Sequence, residues 1–207
     1  MKPRVGILIS GRGSNMAALI ASSKAANYPA EIAIVLSNDP EAGGLALAAE
    51  AGIATDAVDH RAYKKNRAAH EMALAHRLDA AGVEIVCLAG YMRLLTPLLV
   101  GRYAGRMLNI HPSLLPSFPG LDTHARAIAA GVKLHGCTVH LVTEIMDEGP
   151  ILAQAAVPVL ESDGEDALAA RVLAQEHILY PQALAAFARQ SVGVGASADA
   201  ALRNPIS

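Results

Sequence analysis

At 207 residues, 53% of them hydrophobic and 17% charged, the chain is long enough to bury one substantial core and too apolar to be generally disordered. A net charge of −2 supplies no basic field for a nucleic-acid backbone, although a local anion site needs only a few donors. Cys87 and Cys137 are too few and too far apart for a zinc pattern and read as reduced thiols.

The first apolar run, VGILIS (5–10), is too short for a signal-peptide core or a membrane span, so a cytoplasmic protein with no membrane contact is expected. Further short runs, EIAIVLS (31–37), EIVCLAG (84–90) and RMLNI (106–110), read as buried strands bounded by glycine or polar residues. Between them, residues 14–26, 43–51 and 64–81 carry apolar positions at helical spacing. Thr96-Pro97 is a cap followed by proline at the first helical position, so a short helix begins there. Strand–helix alternation predicts an α/β fold with an open, mostly parallel, twisted sheet and helices on both faces. Three prolines (Pro112, Pro116, Pro119) keep the segment LNIHPSLLPSFPG (108–120) from being helical. HGCTVHLVT (135–143) and ILAQAAVPV (151–159) are close enough to pair antiparallel, with Pro158 favouring an edge for the second. A last helix is predicted from near Asp163 to about Gln190, bent at Pro181. Residues 1–190 thus read as one domain, followed by a flexible tail over 191–207.

Three segments carry chemistry. SGRGSN (10–15) follows a strand and opens a helix, where glycines and the helix N-terminus favour an anion. It begins like a dinucleotide fingerprint, but Met16 replaces the third glycine, and it lacks the lysine of a P-loop. The choice is between a phosphate site for a smaller ligand and an ordinary turn capped by Ser14 or Asn15. Asn109 and His111 leave a parallel strand two residues apart, so both side chains point to the same side at the carboxyl edge of the sheet. An amide donor beside a titratable imidazole suits oxyanion stabilisation with proton transfer. MDEGP (146–150) is either a plain turn or a loop that folds Asp147 back onto His111, so that the imidazole carries a proton near neutral pH. His124, His135 and His140 form no ligand spacing, so no metal is expected. No GxSxG elbow is present, which points to direct transfer rather than covalent catalysis.

SGRGSN, AGYMRLL (89–95), LNIHPSLLPSFPG, HGCTVHLV and MDEGPI, in this order, resemble the phosphoribosylglycinamide formyltransferase family, folate-dependent enzymes of purine synthesis. The likeness runs from about Val5 to Pro181. The Asn-x-His-Pro-Ser-Leu-Leu-Pro motif with a downstream aspartate is common to formyltetrahydrofolate-using transferases, and the GSN loop and short chain point to this member. A methionyl-tRNA formyltransferase or a formyltetrahydrofolate hydrolase would be expected to carry an additional domain.

The resemblance implies a Rossmann-like formyltransferase fold and 10-formyltetrahydrofolate as cosubstrate, with no metal. Its N-terminal half would bind the phosphorylated substrate, glycinamide ribonucleotide, and its C-terminal half the folate, in a monomer or homodimer. Asn109, His111 and Asp147 would be catalytic. Gly13, Ser14 and Asn15 would hold the substrate phosphate with Arg67, and Glu176 would contact the glycinamide part. Met92, Arg93 and Leu94, with the backbone of Thr143, Glu144, Ile145, Met146 and Asp147, would cradle the pterin. Asp122 departs from relatives that carry histidine in GLHTH. A hydrolase releasing formate and a non-catalytic phospho-ligand module are the alternatives, and Met16 disfavours a nicotinamide-dependent oxidoreductase.

Overall fold

In the computed structural model, which describes residues 1–192, each of those apolar runs is a strand. The order is β1 (Arg4–Ile9), α1 (Ser14–Ser23), β2 (Glu31–Ser37), α2 (Gly43–Glu50), β3 (Ala54–Ala57), α3 (Arg67–Ala80), β4 (Ile85–Leu88), α4 (Pro97–Arg102), β5 (Met107–His111), α5 (Thr123–Ala129), β6 (Leu134–Leu141), β7 (Ile151–Pro158) and α6 (Glu165–Val192). They build one seven-stranded sheet in the order β3-β2-β1-β4-β5-β6-β7. Strands β1 to β5 are parallel, and β6 runs antiparallel to both β5 and β7.

Alternate strand residues feed two cores. Ile7, Ile9, Cys87, Leu108 and Val139 face α1, α2, α5 and α6, whereas Leu8, Val86, Leu88 and Met107 face α3 and α4. Each fully buried aliphatic side chain is worth about 1.5–3 kcal/mol, against about 0–1 kcal/mol for an exposed ion pair such as Arg4–Glu31. Burial against both faces therefore decides the architecture. Tyr180 of α6 places its buried hydroxyl 3.1 Å from both the Leu88 and Leu108 carbonyls, tying the helix to the end of β4 and to the early part of β5 beside it.

Several expected boundaries shift, for local reasons. The third helix starts at Arg67 rather than residue 64, because the Asn66 side chain accepts from Ala69 N at 3.0 Å and Lys64 has φ +51°. The first helix stops at Ser23 rather than residue 26. The last begins at Glu165, because the Asp163 carboxylate accepts from Leu160 N and pairs with Arg171 ahead of it. It runs on through Pro181 and includes Ser191 and Val192, the first two residues of the expected flexible tail; residues 193–207 lie outside the described residues. Strand β3, a 3-10 turn at His60–Tyr63 and helix α5 carry too few residues to show a periodicity.

Close approach fixes the β6–β7 pair. A Cβ on Gly136 would lie 2.0 Å from the Ala155 carbonyl oxygen and 2.9 Å from Leu114 Cδ2. Gly136→Ala is expected to lower stability by roughly 1–3 kcal/mol, read as a lower denaturant midpoint at unchanged slope.

Candidate active site

The strand order reverses between β1 and β4, and the crevice at such a switch point is where open α/β sheets take ligands. Here an open cleft of about 260 Å³ is lined by Ser10 to Asn15 after β1 and by Ala89, Gly90 and Met92 after β4. Gly13 adopts φ +70° at the entrance to α1, a conformation that glycine takes without steric cost. No side chain caps this helix, so Ser14 and Asn15 are not the caps of an ordinary turn. Its uncapped first-turn amides, with the positive end of the helix dipole, are groups that could hold an anion. Arg12 also lines the cleft and was passed over in reading the motif from sequence, although it stands inside it.

Asn15 links this cleft to α6. Its Nδ2 donates to Glu176 Oε2 at 2.6 Å, while its own Oδ1 is buried without a partner. Glu176 is itself buried; burial pushes its carboxyl up, and the bond from Asn15 offsets this only in part. The pair offers a polar face to whatever extends from the anion site.

Asn109 and His111 occupy alternate positions of β5 and pair across the antiparallel boundary with His140 and Thr138 of β6. Asn109 Nδ2 lies 3.1 Å from His140 Nε2, and His140 Nδ1 lies 3.0 Å from the Leu141 carbonyl. The carbonyl can only accept, so this network assigns the proton to Nδ1 and leaves Nε2 to accept from the amide. Burial pushes the His140 ring down, which keeps it neutral. The asparagine amide is thereby fixed in orientation with one N–H still free. Sequence reading considered His140 only as a metal ligand. The signal for its actual place is the strand register, which alternation alone does not reveal.

Asp147 reaches this face from the loop between β6 and β7. Its Oδ2 lies 3.6 Å from His111 Nδ1 and accepts from Gly120 N at 2.8 Å; Oδ1 lies 3.8 Å from His140 Nε2. At 3.6 Å the contact with His111 is too long for a hydrogen bond. His111 Nε2 lies 3.1 Å from the Phe118 carbonyl, so both ring nitrogens face acceptor oxygens. The His111 and Asp147 side chains are each only 8% exposed, so little water screens them from each other. An amide donor, an imidazole and a carboxylate thus converge at one end of β5, a set able to stabilise a developing oxyanion and move a proton.

The other expected residues are more dispersed. Met92 and Leu94 after β4, and Ile145 and Met146 after β6, stand 57–68% exposed, unusual for large apolar side chains on two neighbouring loops. Arg93 is half-buried, Glu144 is exposed, and exposed Thr143 donates from Oγ1 to the Ile145 carbonyl. Arg67 is exposed at the first turn of α3 and does not line the anion cleft, so apposition of the two is not part of this arrangement. Asp122 has φ +55° ahead of α5, makes no side-chain cap bond, and is exposed. Among the described residues, no cluster of three or more histidine, cysteine or acidic side chains could hold a metal, and no helix is long and apolar enough to cross a membrane.

Comparison with known proteins gives the same outline. Residues 3–184 match the model of a family described as formyl transferase. The chain is 46% identical over 182 residues to the phosphoribosylglycinamide formyltransferase of Escherichia coli, covering 88% of this chain and 85% of that one. It is 47% identical over 194 residues to the bovine trifunctional purine biosynthetic protein adenosine-3, covering 94% of this chain but spanning only 19% of that protein. Among solved structures, phosphoribosylglycinamide formyltransferase from Brucella melitensis superposes with TM-score 0.87 at 59% identity, over 91% of this chain and 96% of the other. Glycinamide ribonucleotide transformylase 1 from Symbiobacterium toebii does so with TM-score 0.88 at 48% identity, over 91% and 89%.

A pH dependence follows from the histidines beside the site. His135 is buried with neither ring nitrogen bonded, packed edge-on against Phe118 and His124. Burial, with His124 beside it, pushes its pKa down to about 4. The unfolded chain, with histidine near its ordinary value of about 6.5, binds more protons than the folded one below that pH. Stability is therefore expected to fall as pH drops from about 6.5 through about 4, and His135→Leu should flatten that slope in chemical denaturation at pH 7 and pH 5.

Proposed function

The chain belongs to the formyl transferase family, and on that premise we propose that it transfers the formyl group of 10-formyltetrahydrofolate to the amine of phosphoribosylglycinamide, a step of purine biosynthesis. The observation that carries the reading is the convergence of Asn109, His111 and Asp147 at the end of β5, beside an anion cleft at the β1–β4 switch point. Two strand spacings, on the order of 10 Å, separate β1 from β5, a distance that a ribose carrying glycinamide can span.

In this reading Gly13, Ser14 and Asn15 hold the phosphate, and Asn15 with Glu176 receives the glycinamide. Arg67 acts from α3 only on an approaching phosphate. Met92, Arg93 and Leu94, with the backbone of residues 143–147, hold the pterin. The N-terminal half therefore serves the phosphorylated substrate, and the C-terminal half serves catalysis and most of the folate contacts. Such a protein would work in the cytoplasm.

The amine lone pair attacks the formyl carbon, forming a C–N bond while the carbonyl electrons move to oxygen. Asn109 gives its free N–H to that oxyanion, and His111 donates beside it from Nδ1, the ring nitrogen that makes no hydrogen bond in the structure; losing one comparable donor costs about 2.7–4 kcal/mol in other enzymes. Asp147 accepts the proton released by the amine, directly or through water, and returns it to N10 of the leaving tetrahydrofolate as the old C–N bond breaks. The proposed steps use no metal ion.

A spectrophotometric assay with 10-formyltetrahydrofolate, run with and without glycinamide ribonucleotide, is the direct test. Tetrahydrofolate is expected only when the amine is present; formate release without it would instead mark a hydrolase. His111→Ala and Asp147→Asn should each lower kcat by at least ~100-fold with the fold intact by circular dichroism. Arg67→Ala should mainly raise KM for the phosphorylated substrate, and an unchanged KM would remove Arg67 from the site.

A further inference from the structure

Residues 89–96, which connect β4 to α4, are held by side chains from two distant parts of the chain. At one end the Met92 amide donates to Ser10 Oγ at 2.8 Å, and the Ser10 hydroxyl donates in turn to Asn38 Oδ1 at 2.5 Å. At the other end the carboxylate of Glu71, on α3, accepts from Thr96 N at 2.7 Å, from Thr96 Oγ1 at 2.5 Å and from Leu99 N at 3.3 Å. Glu71 is 2% exposed and makes no ion pair with a described residue. Burying a carboxylate without a cation is costly, and three donors from one turn are what compensate it here. Between the anchors, Met92 and Leu94 project outward, 68% and 63% exposed.

We propose that Glu71 is a positioning residue for the folate substrate, setting through Thr96 the geometry of the loop that presents Met92, Arg93 and Leu94. This rests on the reading of that loop as part of the pterin cradle. It also gives α3 two separate duties. Arg67 and Glu71 are four residues apart and so share a helix face. Arg67, exposed in the first turn, faces incoming phosphate, while Glu71, buried one turn on, fixes the platform for the other substrate. A carboxylate that merely started α4 would have no reason to affect one substrate more than the other.

The test is steady-state kinetics of the full chain with 10-formyltetrahydrofolate and glycinamide ribonucleotide, each varied at saturation of the other. Glu71→Ala is expected to raise KM for the folate by roughly tenfold while KM for the ribonucleotide stays within about twofold. Glu71→Gln, which keeps the length and one acceptor oxygen, should recover most of that loss. Thr96→Val leaves the carboxylate in place and deletes one of its donors. It should raise the folate KM by roughly threefold and supplies the answer if Glu71→Ala does not fold. Folded variants that raise both KM values equally, or neither, overturn the assignment. A wild-type protein without transfer activity overturns the functional reading itself and this inference with it, whereas an active wild type with indifferent variants overturns the inference alone.

Discussion

Antiparallel pairing of β6 against β5 is the constraint on which the site depends. It sets Asn109 opposite His140 and His111 opposite Thr138, on the face of the sheet that α3 and α4 cover farther along. A register slip of one residue would turn Asn109 and His111 into the opposite core and put Leu108 and Ile110 in their place. The register is held by burial of Leu108, Ile110, Cys137 and Val139 on the other face, so the apolar core and the polar site fix each other. Thr138 contributes as well: its hydroxyl donates to the Ser113 carbonyl and accepts from Leu115 N, stitching the proline-rich loop down beside His111.

The loop that delivers Asp147 departs from ordinary backbone geometry. Asp147 has φ +59°, a left-handed conformation that aspartate tolerates better than most side chains. Gly149 follows so close to β6 that a Cβ there would lie 1.7 Å from the Leu141 carbonyl oxygen. Such strain, of order 1–3 kcal/mol per residue, persists only where the surroundings over-determine it. Here Gly120 N donates to the Asp147 carboxylate, and Phe118, itself at φ +55°, offers its carbonyl to His111. One loop thus supports both the imidazole and the carboxyl group of the set. A site so arranged needs little reorganisation when charge develops on a substrate oxygen.

The cleft after β1 and the Asn109–His111–Asp147 cluster lie on nearby strand ends because the sheet reverses its order at β1 and β4, with β5 immediately beyond. Tyr180 braces β4 against β5 by bonding one carbonyl of each with a single hydroxyl, and the Ser10–Asn38 pair joins the ends of β1 and β2 to the Met92 backbone. These buried polar groups pair almost wholly with backbone or with one another, as a low dielectric requires. They hold the loops after β1 and β4 in one frame.

What short-range physics governs could be read directly from the chain. Apolar runs bounded by glycine gave the strands, Thr96-Pro97 marked a helix start, and the prolines after His111 forbade a helix there. Residues two apart on β5 had to share a face, so Asn109 and His111 were legible as a pair, and the wider motif made the family legible too. Asp147 could be named from its motif, but its approach to His111 depends on how a nine-residue excursion between two strands folds back. The partners of these groups came from long-range packing: His140 behind Asn109, Glu176 behind Asn15, Glu71 beneath Thr96 at a separation of 25 residues. Periodicity reports which face a residue occupies. Which distant residue meets it there is set by strand order, register and packing, and those follow from the burial of the whole core at once.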